Sequence, residues 1–337
     1  MKKFYRMKWL IIFLLVILAI SFLLISGNAE EKIILKLGHH HNVGGQVDKL
    51  CYKFKELAEE KSNGHLQINI FPGGQLGQEK EAIEGILMGT LQLTVVTSSF
   101  FANIADGFGL DALPFMYNSF EQVTKVFTDS EAGKELEKNL IEKGGRILGW
   151  FIFGSRNMLF IDKEIKTLEE IKGLKMRSPE NDIWIGMFRS LGCRPTPITW
   201  GECYTALQTG VVDGMESPIA MTIDMKFHEV AKYCLLTHHM WGAMNLIINE
   251  ALFEKLPKDI QDVIICAGKE AVNYANQLAI KEQEEAIVWL KNYGMKFIEL
   301  PPEEWNKFKE SVVPMVDKWA QNNNATHLVG IIREITK

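Results

Sequence analysis

Arg177 and Arg156 are the side chains whose types and positions best suit them to chemistry. Arg177 ends the apolar-basic segment 174–177, and Arg156 follows the apolar run 147–153 within GSRN at 154–157. A guanidinium presents its donors as a planar fork that matches a carboxylate with two parallel hydrogen bonds. Two such groups at strand ends facing one crevice are what capture of an organic acid requires. An unselected arginine is a solvated surface residue, so the strand-end position carries the reading.

MESP at 215–218 adds two further candidates. Glu216 either accepts hydrogen bonds from ligand hydroxyls or pairs with an arginine, as buried carboxylates usually do. Ser217 is read as an N-cap before Pro218, turning a helix N-terminus toward an anion. His40, in HHHN at 39–42, and Thr97, in TSS at 97–99, each follow a predicted strand and are expected at the crevice. Gln75 and Trp241 are weaker candidates for its wall, an aromatic beside a pocket being more often core. Three consecutive histidines invite a metal, yet adjacent residues point apart and no HExxH spacing accompanies them, so no metal is expected. GFGLDA at 107–112 fits GxGxxA, but no strand precedes it and Pro114 blocks a following helix. The chain contains no GxxxxGK[ST] and no GxSxG, and no nucleophile stands with a base. Neither a cofactor nor enzymatic turnover is expected.

The elements that must hold these residues are legible from spacing. Segment 33–37 reads as a strand, followed by a helix with Val47, Leu50, Phe54 and Leu57 on one face and a stop at Asn63-Gly64. Segments 66–70 and 91–96 read as strands on either side of a helix at 79–88. That β-α-β-α-β order implies a parallel sheet with helices on its faces. Helices near 120–127 and 132–143 precede a strand at 147–153, and Gly154 stands where a hinge would serve. A second domain follows from about 155 to 239. In it the strand 174–177 leads to a helix burying Ile183, Trp184, Met187, Phe188 and Leu191. Thr199 and Glu202 form a predicted capping box, and Val211-Val212 start a strand that breaks at Asp213-Gly214. Segment 245–248 returns the chain to the first domain. Helical spacing then runs from 257 to 293, roughly 50 Å if unbroken, with a kink as the alternative.

At 337 residues the chain can hold two domains with real cores. A formal net charge of -5 gives no global pull toward nucleic acid or anionic lipid, so an anionic ligand needs a local positive site. Lys2, Lys3, Arg6 and Lys8 precede a run at 9–25 that is apolar except for Ser21, and SGNA at 26–29 suits cleavage near Ala29. Residues 1–29 therefore read as a signal peptide or, alternatively, an uncleaved anchor, and either places the folded part outside the inner membrane. Five cysteines at irregular spacing describe no disulfide framework. Cys51 and Cys266 read as small core residues; an oxidising compartment would permit a Cys193–Cys203 bridge, but burial as free thiols is the usual fate and the expected one.

The phrases GLKMRSP, LGCRPTPI, YTALQTGVVDGMESP and KFHEVAKY, in that order, resemble the signature block of DctP-type solute receptors of tripartite ATP-independent (TRAP) transporters. FPGGQLGQEKEAIEGILMGTLQL resembles a recurrent block of the same family, and the likeness runs from about Ile33 to beyond Val316. It implies an α/β, two-lobed, periplasmic-binding-protein-like (class II) fold with a long helix spanning both lobes. The lobes would comprise 30–154 plus about 243–280, and 155–242 plus about 281–337. By resemblance Arg177 is the carboxylate clamp and Arg156 its frequent helper. Ser217 stands where members commonly carry an Asn that touches the acid. Thr97 stands where sialic-acid-type members carry Glu, which points away from that ligand. The implied partners are a small organic acid, a sugar acid or a dicarboxylate, and the small and large TRAP membrane subunits, with transport driven by an ion gradient. Membrane contact would come only through the permease or an uncleaved anchor. A ligand sensor serving a signalling partner, and an enzyme on the same bilobed fold, are the competing readings.

Overall fold

The computed structural model describes residues 32–337. The export segment read at 1–29 lies outside the described residues. In chain order the elements are β1 (Ile33–Gly38), α1 (Gln46–Lys61), β2 (Leu66–Phe71), α2 (Glu79–Met88), β3 (Leu93–Thr97), α3 (Phe120–Thr124), α4 (Glu131–Ile141) and β4 (Gly145–Phe160). They continue with α5 (Leu168–Ile171), β5 (Lys175–Ser178), α6 (Asp182–Ser190), β6 (Arg194–Pro197), α7 (Cys203–Gln208), β7 (Gly214–Pro218) and α8 (Ile219–Asp224). The chain closes with β8 (Tyr233–Asn249), α9 (Glu250–Phe253), α10 (Lys258–Tyr293), β9 (Lys296–Glu299), α11 (Pro302–Asn322) and α12 (Thr326–Ile335).

Every side chain of β3, LTVVT, is buried, as expected of a strand covered on both faces. In α1 the buried Val47, Leu50, Cys51, Phe54 and Ala58 follow helical spacing, and the chain turns away through Asn63 and Gly64, both at positive φ. The strands form one sheet in the order β2-β1-β3-β8-β4-β7-β5-β6, with β9 added to β8. β1 pairs with β3 in parallel, and β5 lies parallel to both β6 and β7. Two long antiparallel strands join these parallel halves. β4 and β8, of 16 and 17 residues, pair from Gly145↔Asn249 to Phe160↔Tyr233. The fold is a two-lobed α/β arrangement of helices on a mixed sheet, and these two strands are its longest pair. Register shifts between Ile152 and Ser155, and again between Arg156 and Met158, bend the pair at mid-length.

The helix read at 257–293 is unbroken: α10 runs for 36 residues, about 54 Å at 1.5 Å per residue. Its buried stripe is small, with Ala267, Gly268, Ala271, Ala275 and Ala279, so it lies close against β4. A Cβ on Gly268 would stand 2.7 Å from Leu148 Cβ, and one on Gly149 2.7 Å from Val272 Cγ2. Gly268→Ala is therefore expected to destabilise by about 1–2 kcal/mol, overpacking outweighing the gain in helix propensity. A lowered urea midpoint would check this, and a raised midpoint would show that the contact has slack.

Several sequence expectations are corrected. The strand read at 147–153 continues through Gly154 to Phe160, because the bulge absorbs the bend, so Arg156 lies within a strand and not after one. The strand read at 245–248 is likewise the end of the longer β8. Val211 and Val212 precede β7, which starts at Gly214, so Glu216 and Ser217 are strand residues. Ser217 is no N-cap: its hydroxyl donates to Pro218 O at 3.0 Å, and the short α8 is entered through Pro218. Thr199 and Glu202 hydrogen-bond each other through their side chains, and the capping box belongs instead to Thr167 and Glu170 at α5. All five cysteines are free, so Cys193 and Cys203 are not bridged, and Cys266 is exposed rather than core.

Candidate ligand-binding cleft

Arg177, third residue of β5, lines a pocket beside the C-terminal end of that strand. It is buried, its Nε donates to Ile198 O at 2.9 Å, and its guanidinium lies 5.5 Å from the Trp200 ring centroid. Its Nη1 is buried without a hydrogen-bond partner, and no carboxylate of the described residues forms an ion pair with it. A buried cation left unpaired is costly, because its lost hydration is not replaced.

Arg156 is provided for differently. Its strand position places it beside β7, where Nη2 donates to Glu216 Oε1 at 2.7 Å and Nε donates to Glu216 Oε2. Glu216 is fully buried and also accepts from Trp184 Nε1 at 3.1 Å, with His239 Nε2 3.8 Å away. Burial pushes the Glu216 carboxyl up, but Arg156 above all more than offsets this and holds it below the usual range. Burial depresses His239 to about 4, despite Glu216 beside it, so the imidazole is neutral. Of the two sequence readings of Glu216, pairing with an arginine is the one present.

β3, β8 and α2 supply the opposite wall. Thr97 and Met244 are antiparallel partners in β3 and β8, so both side chains fall on the cleft face of the sheet. Glu79, first residue of α2, accepts from Thr97 N at 2.5 Å and stands 3.8 Å from His40 Nε2. His40 and His41 are buried, and burial lowers both, with Arg177 adding to the effect on His40 and the neighbouring histidines and Arg156 on His41. His40 Nδ1, His41 Nε2 and Trp200 Nε1 have no hydrogen-bond partner. These groups line, with Arg156, Arg177, Phe100, Trp184 and Met221, one pocket that is open at its mouth. An adjoining recess shares His40, Glu79, Phe100, Arg177 and Trp200 and extends to Gln78 and Lys80.

Of the residues singled out from sequence, Arg177, Arg156, His40 and Thr97 line this one pocket. Glu216 lies behind it, holding Arg156, and Ser217 is buried in β7 beside Asn157. Gln75 is exposed in the turn after β2, and Trp241 packs edge-on against Phe120 at 5.3 Å. Neither lines the pocket. Sequence reasoning missed Glu79, Trp184, Trp200 and His239, and brought the loop 39–42 to the cleft without singling out His41. Trp184 was legible only as one apolar position of α6, and Glu79 only as the start of α2.

A pocket built around a buried, unpaired arginine suits capture of an anion, and relatives point the same way. The profile of bacterial extracellular solute-binding protein, family 7, matches residues 37–322. The chain belongs to that family. This receptor is 31% identical over 264 residues to the 2,3-diketo-L-gulonate-binding periplasmic protein YiaO of Escherichia coli K12, covering 78% of this chain and 80% of the relative. It is 30% identical over 315 residues to the C4-dicarboxylate-binding periplasmic protein DctP of Rhodobacter capsulatus, covering 93% and 94%. Its structure resembles that of a TRAP periplasmic solute-binding protein from Sulfitobacter sp. NAS-14.1 with bound β-D-galacturonate, with TM-score 0.85 and 28% identity over 90% of this chain and all of that one. Fold and family thus agree with the sequence resemblance.

Proposed function

We propose that this receptor captures a hydroxylated monocarboxylic acid of the sugar-acid type, with Arg177 gripping the carboxylate and Arg156 assisting. The observation that carries the reading is the unpartnered Nη1 of the buried Arg177. An incoming carboxylate supplies both the missing acceptor and the missing charge. The charge count favours one carboxylate over two. Arg156 is neutralised by Glu216, leaving Arg177 as the unpaired cation, while Glu79 lines the same pocket. A second ligand carboxylate would lie in a site that already holds Glu79 and would find no free cation. Ligand hydroxyls suit it better, since Glu79, His40, His41 and Trp200 Nε1 offer acceptors and donors. The galacturonate of the structural relative and the diketogulonate of the curated one are acids of this kind.

The lobes, divided as read from sequence, close over the acid, and the closed form docks on the small and large membrane subunits of a TRAP permease. The N-terminal segment exports the protein to the periplasm. Binding energy from both walls shifts an open–closed equilibrium toward closed. A thermal-shift screen of residues 30–337 tests the ligand class. A sugar acid at 100 times its dissociation constant is expected to add about 2.7 kcal/mol, while succinate and malate leave the melt unchanged. Hits confined to dicarboxylates, or to uncharged sugars, would overturn the reading. With Glu79→Gln, the dicarboxylates are expected to gain binding relative to the parent.

A further inference from the structure

We infer that Asp224 is a latch across the cleft, a positioning residue that holds the histidine-bearing loop before α1 down over the bound ligand. The inference rests on the two-lobed reading but not on the identity of the acid. Asp224 ends α8, eight residues after the Arg156 partner Glu216, and in the division read from sequence it falls in the second lobe. Its partners fall in the first. Asp224 Oδ2 accepts from the backbone N–H of Gln46 at 3.2 Å, and its main-chain carbonyl accepts from Asn42 Nδ2 at 3.0 Å.

The local sequence explains why the contact forms. The N-cap of α1 is Gly45, which has no side chain to meet the first free N–H groups of the helix. Asp48 turns back to Gly44 N at 2.8 Å and to His39 Nε2 at 3.1 Å, so the N–H of Gln46 is met from the other lobe. A carboxylate at a helix N-terminus is also favoured by the helix dipole. The fit is close: a Cβ on Gly45 would stand 2.9 Å from Asp224 Oδ2. The segment so held is continuous with His40 and His41, which line the pocket. A second rim contact, Asn181 Nδ2 donating to Ser99 O at 2.9 Å, closes the cleft elsewhere without touching that loop.

Closure also has a proton linkage at this residue. Burial pushes the Asp224 carboxyl up to about 6, the Gln46 N–H and Lys49 on α1 pull it back, and Glu282 on α10 pushes it further. Lys49 and Glu282 are themselves paired at 2.6 Å, and the His39–Asp48 pair lies on the loop side. Opening returns the carboxyl to water and to its ordinary range. The closed form therefore takes up a proton here, and falling pH favours it through this group. His39, His40 and His41, all lowered by burial, act in the opposite sense, so the parent must be compared with Asp224→Asn.

The test reads the cleft without ligand, so that failure of the sugar-acid reading leaves it intact. Spin labels go on Glu84→Cys of α2 and Gln208→Cys of α7, both exposed, in a Cys266→Ser background, the other cysteines being buried. Pulsed dipolar distances then report open and closed populations. Asp224→Ala is expected to lower the closed fraction at least fivefold, with an unchanged melting temperature as the check on folding. Asp224→Asn, which keeps the acceptor and drops the charge, should be at least as closed as the parent at pH 7.5, the gap narrowing by pH 5. A parent wholly open, an Asp224→Ala distribution matching the parent's, or an Asp224→Asn variant as open as Asp224→Ala would each overturn the inference.

Discussion

Arg177→Ala is expected to abolish binding of the acid while leaving the unliganded protein as stable as the parent, or more so. The two halves of this result come from one fact, that Arg177 is buried with Nη1 unpartnered and no carboxylate paired to it. In a structural ion pair, removing one partner strands the other charge, at about 3–5 kcal/mol. Here removal strands nothing, because Arg177 itself is the stranded charge. What it gives up is one hydrogen bond to Ile198 O and the contact with the Trp200 ring. Against these small losses stands relief from the desolvation of a guanidinium. In the complex the balance reverses, since the ligand carboxylate would be buried without a counter-charge. A loss of about 3–5 kcal/mol, roughly two to three and a half orders of magnitude in dissociation constant, follows. Calorimetric titration with D-galacturonate, beside a melt of the apo variant, checks both halves. Affinity within about threefold of the parent would remove Arg177 from the carboxylate. A large drop in apo stability would mean that Arg177 serves the fold. Arg177→Lys should fall between, as a point charge cannot reproduce the fork.

That contrast between two arginines was not legible in the sequence, and the reason is geometric. Strand-end position located Arg177 correctly, because β5 is short and stops before Pro179. It also brought Arg156 to the pocket but set it past the end of its strand, whereas a bulge at Ile152–Ser155 carries β4 through Gly154, and nothing in hydrophobic periodicity distinguishes a bulged strand from one that ends. The alternation that marks strands is local, whereas the pairing of Arg156 with Glu216 depends on β4 and β7 being neighbours, 60 residues apart in the chain. Helices were easier. The 36 residues of α10 keep one buried apolar stripe from Ile260 to Leu290, a signal that local spacing reveals. The cleft's aromatic members were hidden for the converse reason, since Trp184 and Trp200 look like core until the opposite lobe is in place. Glu79 looked like an ordinary first-turn acid of a helix. Only the fold shows its carboxylate turned to Thr97 N and His40.

Glu216→Ala is expected to be the most destabilising single change in the cleft, costing about 3–5 kcal/mol, because it leaves Arg156 buried and unpaired. Trp184 Nε1 also loses its acceptor. The parent's acid behaviour follows from the same pair. Burial raises the Glu216 carboxyl, but Arg156, its hydrogen bonds and His239 lower it further, so the folded value lies below the unfolded one near 4.5. Its contribution is complete above that value and is lost as pH falls through the folded value. His239, depressed to about 4 from 6.5, withdraws its own contribution earlier, as pH falls below 6.5. His239→Gln should therefore flatten the decline between pH 6.5 and 4, while Glu216→Gln should flatten only the part below 4.5. Urea midpoints across that range resolve the two. The decisive comparison is with the double variant Arg156→Met, Glu216→Leu, in which no charge remains to be stranded. Stability should return to within about 1 kcal/mol of the parent, as buried ion pairs replaced by apolar groups often show. Acid binding should not return, since the guanidinium beside the ligand is gone. Recovery of stability without recovery of binding would mean that Glu216 is retained to hold Arg156 in the cleft, and that the fold itself does not need the pair. Failure to recover stability would give the pair a structural role instead.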